Sequence, residues 1–156
     1  MTDKTKEKRR KRAEELFEAG YNCAQAVALA FSDLLDIPEE TLAKTMSSFG
    51  GGMGRLREVC GAVSGSFAVA GLLYGFALPN GVEEKHAHYD RVQKLAAAFR
   101  EKNGSIICRE LLGVPGAEDP KPEARTPAYY KKRPCKELVG IAAENLAEFI
   151  AENPVR

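Results

Sequence analysis

Tryptophan is absent from this 156-residue chain, histidine occurs twice and cysteine only four times. Four cysteines are far fewer than the roughly 8–10% of a secreted disulfide scaffold, so a hydrophobic core has to hold the chain together. An excess of one charge is lacking too: 23 Lys and Arg face 22 Asp and Glu, for a net charge of +1. A domain this close to neutral lacks the electrostatic footprint of a nucleic-acid binder, and no specific nucleic acid is expected as a partner. Strand signals are almost missing, since no stretch sustains apolar–polar alternation with β-branched enrichment. What the chain does have is 44% hydrophobic and 29% charged residues, the ordinary globular mixture. That excludes a fully disordered or collagen-like polymer. The length reads as a single domain over residues 1–156, enough to take about 70% of the unfolded surface out of water. A soluble cytoplasmic protein is expected.

Two segments imitate targeting or membrane signals. Residues 4–12 (KTKEKRRKR) carry seven basic side chains and one acid, like the front of a signal peptide. Glu14, Glu15 and Glu18 follow where an apolar h-region would have to be, so no signal peptide is expected. Val59–Leu78 runs 20 residues without a charge, the length that spans a bilayer. It is rich in Gly, Ala and Ser and ends in Pro79-Asn80-Gly81. An all-round apolar helix also suits the middle of a bundle, and a buried helix rather than a membrane span is expected.

Helical spacing recurs along the rest of the chain. Residues 4–18 form a charged first helix closed by Gly20; its basic start, residues 1–15, is expected to be partly frayed. Asn22 reads as an N-cap with Gln25 as its capping-box partner. Val27, Ala30, Phe31, Leu34 and Leu35 form a stripe running to Pro38, and a short helix spans about 39–47. Phe49–Gly54 (FGGGMG) is a glycine turn opening the uncharged helix. Gly61/Gly65 and Gly71/Gly75 each share a helix face, and close approach of neighbouring helices is the expected compensation for about 1 kcal/mol per glycine. An amphipathic helix follows over 82–102 and a short one over 106–112. Residues 113–134 hold five of the eight prolines and read as a long loop. The last helix starts at Pro134 and ends near Glu152. The sum is an all-α single-domain bundle of about five main helices with the glycine-rich helix buried at its centre.

The cysteines carry the sharpest signal. Cys23, Cys60, Cys108 and Cys135 are 37, 48 and 27 positions apart, with no CxxC pair. Neither a zinc ribbon nor a thioredoxin motif applies. All four fall near expected helix starts, where unpaired N–H groups and the helix dipole favour the thiolate. Cys23 shares a face with Val27, Ala30 and Leu34, and Cys135 with Leu138, Val139 and Ala142, so both point inwards. A bundle can therefore bring all four thiols, or two pairs, to one end of the core. The competing reading is that free cysteine is a small hydrophobe buried for packing.

The stretches GYNCAQAV (20–27), FGGGMGRLREVCGAVSG (49–65), SIICRELLG (105–113) and RPCKELV (133–139) resemble the C_GCAxxG_C_C family, four-cysteine redox-active proteins of prokaryotes. The resemblance spans about residues 16–152, with the four cysteines in order, each in its own context. One departure is plain: the core reads Cys60-Gly61-Ala62-Val63-Ser64-Gly65, with Cys before Gly. The resemblance implies Cys23, Cys60, Cys108 and Cys135 as the functional and metal-ligating residues, with Gly61 and Gly65 as companions at a cofactor-binding site. It implies redox or electron-transfer chemistry through an iron–sulfur cluster or another metal, and a redox partner protein.

Other features are weaker. The glycine turn lacks the Lys-Ser of a P-loop and a preceding strand; Arg55 and Arg57 beside it are candidates to hold an anion. His86 and His88 point about 200° apart on a helix, so they read as surface residues, with one of them at most reaching the cysteine site. Lys4–Arg12 has no interleaved aromatic to stack on bases. Tyr129 and Tyr130, next to Lys131, Lys132 and Arg133, are the candidate lid or docking residues of the 113–134 loop. Two classes of function stay open. One is an oxidoreductase or electron carrier, holding a cluster or zinc or cycling a dithiol with Cys23 or Cys135 as attacker. The other is a helical interaction or nucleic-acid-associated module with structural cysteines. Membrane binding is not expected, and a homodimer is as compatible with the exposed faces as a monomer.

Overall fold

The structure is a computed structural model describing residues 3–155, so Met1, Thr2 and Arg156 lie outside the described residues. It is all-α, with nine helical segments in the order α1 (Asp3–Glu18), α2 (Cys23–Leu29), α3 (Glu39–Met46), α4 (Gly50–Met53), α5 (Gly61–Tyr74), α6 (Val82–Asn103), α7 (Cys108–Leu112), α8 (Pro127–Lys132) and α9 (Cys135–Glu152), and a 3-10 turn at Ser32–Leu34. Among the described residues, extended pairing is confined to one isolated antiparallel bridge, Val59–Ile107. No helix of the described residues is long and apolar enough to cross a membrane.

The short helix α2 sits at the centre. Ala24, Ala26, Val27, Ala28 and Leu29 are all buried, because α1, α3, α5 and α9 close on it from every side. Small residues on α2 let those helices come near. The glycine-rich α5 packs on α2, α6 and α9 with Gly61, Ala62, Val63, Gly65, Ser66, Val69 and Ala70 inside. It is shorter than the uncharged run: Val59 and Cys60 precede it, and the chain leaves the helix at Gly75. Its outer side shows Leu72, 49% exposed.

Gly61 and Gly65 explain the α2–α5 contact. A Cβ on Gly65 would lie 2.7 Å from the Ala24 carbonyl oxygen and 3.2 Å from its Cα. Both are backbone atoms, so nothing can rotate away and the helices would have to separate. Gly71 and Gly75 do not serve this purpose. A Cβ on Gly71 meets only His88 Nε2, at 4.0 Å, and Gly75 lies just past the helix end. Gly65→Ala is therefore expected to lower stability by about 1–3 kcal/mol through overpacking. Gly71→Ala should raise it by up to about 1 kcal/mol through helix preference alone. Thermal unfolding of the two variants checks this; equal shifts would contradict the close approach.

The basic stretch of α1 is helical from Asp3 and packs along α9; Met1 and Thr2, at the front of the 1–15 stretch, lie outside the described residues. Lys6 pairs with Glu148 at 3.5 Å and Arg10 with Glu144 at 3.1 Å, both on α9, while Arg9 pairs with Asp33 at 2.5 Å. Those charges answer carboxylates within the protein. The 113–134 segment is not wholly a loop, since it contains α8, capped by Thr126 with Pro127 in the first turn.

Candidate functional site

Each cysteine stands at a helix start. Cys23 is the first residue of α2, inside the capping box in which Asn22 Oδ1 accepts from Gln25 N at 2.8 Å and Gln25 Oε1 accepts from Asn22 N at 3.0 Å. Gln25 Nε2 then ties this turn to the Ala43 carbonyl of α3 at 2.9 Å. Cys135 opens α9 behind Pro134, Cys108 opens α7, and Cys60 is the residue before α5. The Val59–Ile107 bridge joins the last two. Cys60 N donates to Ile106 O at 2.8 Å and Cys108 N to Glu58 O at 2.6 Å. Alternate residues of a bridged pair face the same way, so Cys60 and Cys108 emerge on one side of it.

Glycines let these starts converge. A Cβ on Gly61 would lie 3.0 Å from Cys23 Cβ, which is how closely α5 begins against α2. Gly52, in the left-handed region at φ 67°, leaves 2.6 Å between its would-be Cβ and Cys108 Cβ. All four cysteines thus line one cavity of about 390 Å³, together with Gly61, Phe17, Arg57, Tyr129, Arg133 and Leu138, among others. Gly65 faces Ala24 and is not on this cavity. His86 and His88 are not on it either; His88, on α6, is buried against Phe76 of the α5–α6 connection rather than on the surface.

The family described as "Putative redox-active protein (C_GCAxxG_C_C)" matches residues 21–149, a span that includes all four of these cysteines. The chain belongs to this family. An "Uncharacterized protein" of Archaeoglobus fulgidus is 29% identical over 145 residues, covering 88% of this chain and 90% of its own. No solved structure matches.

The four cysteines of this C_GCAxxG_C_C protein sit in unequal surroundings. Cys60 and Cys108 are buried; Cys23 and Cys135 are half-buried. The neighbouring Cys135 sulfur holds the Cys23 pKa well above the ordinary thiol range, with burial adding to it. The Cys23 thiol in turn lowers Cys135, against burial, and the Tyr129 hydroxyl and the charges of Arg133 and Arg57 lower it further, to about 7. Its place at the start of an 18-residue helix acts in the same direction. Burial pushes the Tyr129 phenol up, with the sulfur charges of Cys135 and Cys23 adding to it, so the hydroxyl keeps its proton. Burial pushes Cys60 up to about 12. Cys108 is raised by burial, with Arg57 opposing; Arg57 Nη1 donates to its sulfur at 3.6 Å.

Arginines and glutamates frame the thiols. Arg57, 5% exposed, donates from Nε to Glu118 Oε1 at 2.7 Å, and Arg133, 9% exposed, from Nη2 to Glu123 Oε2 at 3.0 Å. Arg55 Nε donates to the Asp119 carbonyl at 2.6 Å. These bonds pin residues 118–123 over the cavity. Arg57 and Arg55, read from the sequence as anion holders at a helix start, are therefore engaged with that segment, and Arg57 also reaches a cysteine. Glu118 and Arg133 were not singled out from the sequence; the signal available for Arg133 was a base two residues before a cysteine at a helix start.

Among the described residues, no group of three or more His, Cys, Asp or Glu side chains is arranged to hold one ion. Four-thiolate sites for zinc or iron–sulfur clusters need converging deprotonated sulfurs. Cys23, Cys60, Cys108 and Cys135 are the residues that would hold such a group; they share one cavity without forming a ready ligand set, and a metal would itself displace their protons.

Proposed function

We propose that this protein is a thiol–disulfide redox protein in which Cys135 is the attacking thiolate and Cys23 the resolving thiol. What carries this reading is the pairing of Cys23 and Cys135 on one cavity, each at a helix start and half-buried, where their interaction favours the thiolate on Cys135 and the thiol on Cys23. Thiolates attack disulfides and thiols do not, so this division of labour is what exchange chemistry requires. Cys135 thiolate attacks one sulfur of a substrate disulfide RS–SR′; the Cys135–SR bond forms as the S–S bond breaks and R′S⁻ leaves. Cys23 then gives up its proton, attacks Cys135 sulfur and expels RS⁻, leaving a Cys23–Cys135 disulfide. The substrate gains two electrons and the protein loses two. A dithiol reductant returns the pair to the reduced state and itself becomes a disulfide. Tyr129 and Arg133 hold the charge on Cys135, and the buried Cys60 and Cys108 stay outside these steps.

An iron–sulfur cluster or zinc ion across all four cysteines is the second reading, favoured by their sharing one cavity. It requires the sulfurs to draw together around the ion. Titration of the purified protein against dithiol–disulfide buffers, with iron, zinc and acid-labile sulfide measured on the same anaerobic sample, separates the two. The expected result is one two-electron transition, absent from Cys23→Ser and Cys135→Ser and kept by Cys60→Ala and Cys108→Ala. Stoichiometric metal that every one of the four substitutions removes would overturn it in favour of the metal.

A further inference from the structure

We propose that the substrate disulfide is a small molecule bearing carboxylate groups, held by the arginines of the cysteine cavity. The inference rests on the thiol–disulfide reading of the same site. Size is the first argument. The cavity holds about 390 Å³, inside the range of small-molecule pockets. The segment pinned across it by Arg55, Arg57 and Arg133 keeps Cys23 and Cys135 half-buried, so a disulfide within a folded protein is denied the approach that a small one has.

Charge is the second. Four guanidiniums line the cavity, those of Arg55, Arg57, Arg125 and Arg133. The ion pairs they make among the described residues involve only Glu118 and Glu123. Four positive charges against two carboxylates and the Cys135 thiolate leave a formal surplus of one. Arg125 contributes to it most directly. Its guanidinium stacks 4.0 Å above the Phe17 ring and donates to the carbonyls of Phe17 and Tyr21, at 2.8 Å for the latter, with no carboxylate among the described residues in ion-pair range. An arginine fixed in this way keeps its permanent charge and the remaining N–H donors of its planar fork for a carboxylate. Phe17 and Leu138 supply the apolar part of the wall.

The test compares three small disulfides as oxidants of the fully reduced protein: 3,3′-dithiodipropionate (anionic), bis(2-hydroxyethyl) disulfide (neutral) and cystamine (cationic). Each rate of Cys23–Cys135 disulfide formation is divided by the rate of the same disulfide with a free neutral thiol. The expected order is anionic, neutral, cationic, with roughly tenfold or more between the ends at low salt, narrowing as salt screens the charges. Arg125→Met should shrink the anionic-to-neutral ratio, whereas Lys94→Met, outside the site on α6, should leave it unchanged. A neutral or cationic disulfide reacting as fast as the anionic one overturns this inference and leaves the thiol–disulfide reading intact. So does a folded protein disulfide outpacing all three. Failure of every disulfide to oxidise the pair overturns the thiol–disulfide reading itself.

Discussion

At pH 7, a limiting amount of iodoacetamide is expected to alkylate Cys135 ahead of the other three cysteines. The rate should climb sigmoidally through about pH 7, where the Cys135 thiol ionises. The sign follows from the cause. A lowered pKa means that the folded protein favours the charged form, so the reactive thiolate is present above about pH 7 and is lost as the pH falls below it. An unperturbed cysteine, with a pKa near 8.5, is only about 3% thiolate at pH 7, so the gain in reactive fraction is roughly tenfold. The lower nucleophilicity of a less basic sulfur removes part of it. Cys23→Ala deletes the largest contribution, the neighbouring Cys23 thiol, and should move the midpoint up towards the ordinary thiol range. Tyr129→Phe removes a smaller one and should move it less. Peptide mass spectrometry across pH 5–10 reads both quantities. A midpoint above 8 in the unaltered protein, or Cys108 reacting first, would contradict the assignment.

Gly52→Ala is expected to be the most damaging single methyl in the protein. Gly52 has φ 67°, which costs a side-chain-bearing residue about 1–2 kcal/mol. The added Cβ would also stand 2.6 Å from Cys108 Cβ, 2.8 Å from Arg57 Cα and 2.8 Å from Glu58 N, two of which are backbone atoms. Overpacking of this kind adds about 1–3 kcal/mol. The sum, about 2–5 kcal/mol, corresponds to a fall in Tm of roughly 5–20 °C for a chain of this size. Gly54→Ala is the matched control. It too has a positive φ, 62°, but nothing lies within 4 Å of its would-be Cβ, so only the conformational cost applies. Thermal unfolding of the pair should show Gly52→Ala falling well below Gly54→Ala; equal shifts would mean that Cys108 is not held against the glycine turn.

Local signals were legible in the sequence to the extent that they are read by neighbouring residues. The Asn22–Gln25 capping box is the same in the structure as in the sequence, because both partners lie within one turn. Pro134 before Cys135 marked the start of α9 for the same reason. Gly61 and Gly65, four apart, announced a close helix contact, whereas Gly71 and Gly75 gave the identical pattern without one. Which neighbour a helix face meets is a tertiary fact and leaves no local trace. α8 was hidden by the proline-dense composition around it, although Thr126-Pro127 is an ordinary helix start. The ion pairs of the basic stretch of α1 were not legible, because its carboxylate partners, Glu144 and Glu148, lie at the far end of the chain. The placement of all four cysteines at helix starts was visible. That Cys23 and Cys135 act on each other, favouring the thiol on one and the thiolate on the other, depends on how α2 meets α9 and was not.

Mapping the disulfide formed on mild oxidation tests the central claim most directly. Reduced protein is oxidised with one equivalent of a small disulfide, remaining thiols are blocked, and the peptides are sequenced by mass spectrometry without reduction. The account predicts a single Cys23–Cys135 linkage, reversed by dithiothreitol, with Cys60 and Cys108 recovered as blocked free thiols. A dominant linkage through Cys60 or Cys108, or four thiols that stay free, would contradict it.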